Sequence, residues 1–95
     1  MVVGICKLKF FLAGSHSLKE KRHVLRKLKD NIRNKFPVSI AEVDDHDLWQ
    51  SAVLGASIVG KDKIFVDSEI TKLINTIRDM NLMELVDEDV EIISF

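Results

Sequence analysis

The chain has 95 residues, with 46% apolar and 31% charged side chains and a formal net charge of −1. That length gives one core and no second domain, because a chain of this size buries only about 60 to 65% of the surface its unfolded form exposes. The near-zero total hides a division. Residues 1–35 hold ten Lys/Arg against Glu20 and Asp30, whereas residues 36–95 hold four basic and thirteen acidic side chains, giving +8 and −9. A fold that keeps these parts on separate surfaces would present one face that attracts phosphates and another that repels them.

Residues 2–12 alternate as a strand, with Val2, Cys6, Leu8, Phe10 and Leu12 on one side and Val3, Ile5, Lys7, Lys9 and Phe11 on the other. Lys7 and Lys9 in MVVGICKLKFFL rule out a membrane span. The segment also lacks a basic leader with a small-residue cleavage site, so the expected setting is cytoplasmic. Cys6 is the single cysteine and is expected to be a buried, inert thiol. Gly14 and Ser15 turn the chain, and Ser17 with Glu20 forms a capping-box pattern for a helix that runs to about Lys35 and ends at Phe36 and Pro37. Residues 38–43 (VSIAEV) and 51–59 (SAVLGASIV) read as a hairpin joined by the polar segment Asp44 to Gln50. Asp62 caps a second helix with Val66, Ile70, Leu73, Ile74 and Ile77 at helical spacing, and residues 89–95 (DVEIISF) supply the last strand.

The order β-α-β-β-α-β predicts a single α+β domain over residues 1–95. Its form is ferredoxin-like: a four-stranded antiparallel sheet with two helices on one face and the other face uncovered. Val3, Ile5, Lys7, Lys9 and Phe11 then line the open face, joined by Val53, Gly55, Ser57 and Val59 or their alternates. Val3, Ile5, Phe11 and Trp49 are the candidate contacts for a second copy or another partner, since an uncovered apolar sheet face calls for a cover.

On the first helix, Leu18, Leu25, Leu28, Ile32 and Phe36 define the buried stripe, and Lys21 falls inside it. Its amine either snorkels to water or meets a carboxylate of the hairpin loop such as Asp44. Arg22, Arg26, Lys29 and Arg33 share a flank at spacings of four, three and four, one turn or about 5 to 6 Å apart along the axis. With Lys7 and Lys9 they are the candidate phosphate contacts, and His16 and His23 flank the start of the same helix. Base stacking of the kind used by RRM domains is not expected, because SAVLGASIV carries no aromatic residue. Asp44, Asp45, His46 and Asp47 concentrate ligand types but match neither calcium nor zinc spacing, so a polar turn is expected there and no metal. No phosphate loop, nucleophile elbow, CxxC pair or HExxH motif is present, and the sequence predicts neither a cofactor nor an enzyme.

The stretches Ser17-Leu18-Lys19-Glu20-Lys21-Arg22, Ala41-Glu42-Val43-Asp44 and Asp47-Leu48-Trp49-Gln50-Ser51-Ala52 are similar in order and separation to the bacterial YlxP-like family, domain-of-unknown-function family 503. That resemblance implies a ferredoxin-like fold and no established activity. Some members' genes lie beside translation and ribosome-maturation factors, which implies an RNA- or ribosome-associated role. The leading expectation is therefore an RNA-binding accessory protein that uses helix 18–35 as a phosphate clamp. The alternative is a homodimeric interaction module without a nucleic-acid ligand.

Overall fold

A computed structural model describes all 95 residues as β1 (Val2–Phe11), α1 (Leu18–Lys35), β2 (Val38–Asp44), β3 (Ser51–Gly60), α2 (Lys63–Asp79) and β4 (Glu84–Ser94). The strands form one antiparallel sheet in the order β2-β3-β1-β4. This is the ferredoxin-like arrangement. Alternation on β1 sends Val2, Gly4, Cys6, Leu8 and Phe10 toward the helices, where Ala52, Leu54, Ala56 and Ile58 of β3 join them. Leu25, Leu28 and Ile32 of α1 and Val66, Ile70, Leu73, Ile74 and Ile77 of α2 close the core from above. Each such side chain contributes about 1.5 to 3 kcal/mol on burial.

Both helices start where the sequence places their caps. Ser17 Oγ accepts from the Glu20 N–H at 3.1 Å, and the Glu20 carboxylate accepts from the His16 N–H, one residue before the cap. Asp62 Oδ1 accepts from the Phe65 N–H at 2.8 Å. Gly4 lets α2 sit close to the sheet, since a Cβ there would stand 2.6 Å from Val66 Cγ1 and 2.9 Å from Ile70 Cγ1.

The last strand begins five residues earlier than residues 89–95 suggest. Glu84 to Glu88 (ELVDE) has low intrinsic strand preference, yet β4 is an edge strand whose acids stand in water while its backbone pairs with Lys9, Phe10 and Phe11 of β1. Two bulges interrupt the ladders at the same end of the sheet, one at Lys9/Phe10 against β4 and one at Glu42/Asp44 against β3. The second sets Val43 over Gly55 on the open face, where a Cβ would stand 2.9 Å from Val43 Cγ1.

Burial pushes the Cys6 thiol up to about 11 from its ordinary 9.0, with the backbone hydrogen bond at Ala56 opposing and the Glu88 charge adding a little. Between pH 9 and 11 the unfolded chain gives up a proton that the folded chain keeps, so ionisation favours unfolding and stability falls as pH rises. Urea denaturation from pH 8 to 11 should show a steeper loss for the wild type than for Cys6→Ala. Parallel curves would mean that the thiol ionises equally easily in both states.

Candidate nucleic-acid interface

The basic face of α1 ends up beside the edge strand β2. Arg22, Arg26, Lys29 and Arg33 line one shallow groove of about 380 Å³, together with Leu25, Asp30 and Glu42. Arg22, Arg26 and Arg33 are exposed and Lys29 is half-buried. Arg33 is not a free cation. Its Nη2 donates to the Ile40 carbonyl at 2.9 Å, so it lies against the β2 backbone while keeping its charge at the groove's end.

Lys7 and Lys9 do not belong to this surface. They stand on the open side of the sheet, with the whole sheet between them and the helices, where Lys7 faces Asp89 across the ladder and Lys9 faces Asp87. Opposite charges at directly paired positions neutralise one another locally, so these two lysines form no extension of the basic groove. The four candidate partner contacts also separate. Val3 and Ile5 sit at one end of the open face beside Val59 and Ile93, and Phe11 and Trp49 sit at the other. Val3 and Phe11 are eight strand positions, about 26 Å, apart, and Lys7, Lys9, Asp87, Asp89 and Glu91 occupy the interval.

Behind the groove, Lys21 is fully buried. Its Nζ donates to the carbonyls of Asp45 (2.8 Å), Ser51 (3.2 Å) and His46 (3.3 Å) and stands 2.9 Å from Glu42 Oε2. The amine neither snorkels nor reaches Asp44. Asp44 stays exposed and its Oδ1 accepts the N–H of Asp45 at 2.8 Å, at the point where Asp45 adopts a φ of 58°. Glu42 is the carboxylate the sequence reading missed. A signal was present: in VSIAEV it shares the core-facing parity of Val38 and Ile40, so a strand that buries Ile40 also carries Glu42 toward α1. Glu42 Oε2 has no aligned hydrogen bond, so within the chain the Lys21 charge beside it is what compensates that oxygen.

Further contacts tie the hairpin loop down. Ser51 Oγ donates to Asp45 Oδ2 at 2.6 Å, and Gln50 Nε2 donates to the carbonyls of Ala13 and Ser15 at 3.2 Å each. Asp44, Asp45, His46 and Asp47 do not converge, and no three His, Cys, Asp or Glu side chains are placed to share an ion. Because Lys21 offsets Glu42, Asp30 is the one uncompensated acid among the groove's lining residues.

The family model described as protein of unknown function (DUF503) matches residues 3–90. The chain belongs to the DUF503 family. It is 30% identical over 73 residues to the uncharacterized protein YlxP of Bacillus subtilis (strain 168), covering 77% of this chain and 79% of that protein. Among solved structures it is similar to the structural genomics protein YJCS, with a TM-score of 0.56, 12% identity and coverage of 97% and 99% of the two chains, a likeness of fold. The three segments that carry the DUF503 resemblance supply the buried lysine and two of its partners, Lys21 coming from the first, Glu42 from the second and Ser51 from the third, while Asp45 and His46 lie between the second and third.

Lys21→Met should lower stability by about 3 to 5 kcal/mol, since it leaves the Glu42 charge and three loop carbonyls without their partner. Chemical denaturation of Lys21→Met, Glu42→Leu and the double variant checks this. The double variant should recover part of the loss, and strict additivity of the two single effects would deny the coupling.

Proposed function

We propose that this DUF503 protein is a non-catalytic RNA-binding or ribosome-associated accessory protein of the cytoplasm, which holds phosphates along the α1 groove. The observation that carries this reading is the set of four cations, Arg22, Arg26, Lys29 and Arg33, lining one concavity with a single uncompensated acid. Successive members are about one helical turn, 5.4 Å, apart, on the scale of a phosphate backbone. Such a clamp grips backbone charge and leaves base identity unread, so it favours structured RNA over a particular single-stranded sequence. No helix is long and apolar enough to cross a membrane.

Filter binding to a structured RNA across a salt series tests the clamp. Each of the four side chains replaced by glutamine should reduce the slope of log K against log salt by roughly 0.7 to 0.9. Lys7→Gln with Lys9→Gln should leave the slope unchanged, since those lysines face acids on the far side of the sheet. Absence of salt-sensitive binding, or an unaltered slope in the quadruple variant, would refute the reading.

A second copy on the open sheet face is the alternative that one observation favours. Val3, Ile5, Val59 and Ile93 form an apolar cluster across three adjacent strands, with Val59 56% exposed. Light scattering should then show a dimer for the wild type and a monomer for Ile93→Asp. A wild-type monomer at high concentration would dismiss it.

A further inference from the structure

At the bulged end of the sheet, on the opposite side from the basic groove, Phe11 separates two recesses. The smaller, about 460 Å³, is a shallow, open cup lined by Phe11, Leu48, Trp49 and Asp47 together with Gln50 and Ser51. The larger, about 1080 Å³, opens on the other side of Phe11 and is walled by Val24, Leu82 and Met83. Phe11, Leu48 and Trp49 are 41%, 51% and 54% exposed, an unusual amount of aromatic and apolar surface in water for one loop region.

The polar groups of the cup differ in how they are engaged. Gln50 is held by Ala13 and Ser15, and Ser51 by Asp45. The Asp47 carboxylate is exposed, has neither a hydrogen bond nor an ion pair within the chain, and lines the same recess as Phe11 and Trp49. Its surroundings are mainly acidic: Asp44 is exposed in the same loop, Glu84 lies across from Phe11, and Asp87 lies across from Lys9, while Lys19 and His23 line the larger recess with Glu20 and Glu84. An aromatic slot with a free carboxylate in a negative field suits a planar cation, which stacks on the rings and pairs in bidentate fashion with the acid. Guanidinium meets both demands better than ammonium does.

We infer that the cup between Phe11 and Trp49 captures an arginine side chain from a basic segment of a partner protein, with an apolar neighbour of that arginine entering the recess beyond Phe11. The occupant is a protein rather than a nucleic acid, because the acids around the cup repel phosphates. The larger recess takes Lys19, Glu20, His23 and Val24 from α1 but neither recess shares a lining residue with the α1 groove, so the two surfaces can be occupied together. An arginine at this position also places a hydrophobic residue one or two positions away within reach of Val24, Leu82 and Met83.

Trp49 is the chain's single tryptophan, so its emission reports on the cup directly. The probes are three capped hexapeptides, one with an Arg-Gly-Leu core and two in which Lys or Glu replaces the arginine. Saturable binding of the arginine peptide is expected at or below a Kd on the order of 1 mM, weaker binding of the lysine peptide and none of the glutamate peptide. Calorimetry should show a loss of about tenfold, the equivalent of ~1.4 kcal/mol, for Asp47→Asn and for Trp49→Leu. The quadruple glutamine variant of the α1 groove should bind the arginine peptide as the wild type does, so failure of the RNA clamp and failure of this site give different results. Equal affinity for all three peptides, indifference to Asp47→Asn, or quenching of Trp49 by an RNA oligonucleotide in place of the peptide would overturn the inference.

Discussion

The buried ammonium of Lys21 is the constraint on which the rest of this molecule turns. A charge removed from water must be compensated where it stands, and here the compensation comes from a strand carboxylate and three carbonyls of a hairpin loop. These groups are 21 to 30 positions away along the chain. One side chain thereby fixes the angle at which α1 meets β2, the path of the loop from Asp44 to Ser51, and the outward presentation of Leu48 and Trp49. It also discharges Glu42, without which the row of arginines on α1 would face an acid at the mouth of its own groove.

The division of charge along the chain becomes a division in space, with one exchange. The basic residues of α1 gather on the helix layer beside β2, and the acids of residues 84–91 gather on β4 at the far edge. Lys7 and Lys9 cross this divide because β1 is central and pairs directly with β4. Their charge offsets part of that of the acidic strand rather than reinforcing the basic helix. The open sheet face is consequently banded, apolar at both ends and mixed in charge across its middle.

The topology was legible in the sequence because its signals are local: alternation in β1, capping residues at Ser17 and Asp62, and apolar spacing in α2. The basic row was legible for the same reason, since helical periodicity alone puts Arg22, Arg26, Lys29 and Arg33 on one flank. What depends on three-dimensional register was less accessible. Glu42 meets Lys21 because β2 packs beside α1 with the Ile40 side of the strand toward the helix. Arg33 meets Ile40 only because α1 ends alongside the β2 edge. The grouping of Lys7 and Lys9 with the helix failed on the same ground, because charge in sequence carries no information about which side of a sheet it faces. The first half of β4 was missed since its acids lower strand preference and only the partner strand supplies the missing order.

The strand order also governs how the chain must assemble in time. Cys6 on β1 meets Ala56 and Val90, which lie 50 and 84 positions further along, whereas β2 and β3 pair as immediate neighbours. Loop closure over such separations is slow compared with hairpin formation and helix growth. The β2–β3 hairpin, with its helices forming alongside, can therefore gain structure early, while the central strand waits for partners that are made long after it. Until β3 arrives, the row Cys6, Leu8, Phe10 has nothing to rest on. A chain with this order spends its nascent period with the middle of its future sheet exposed.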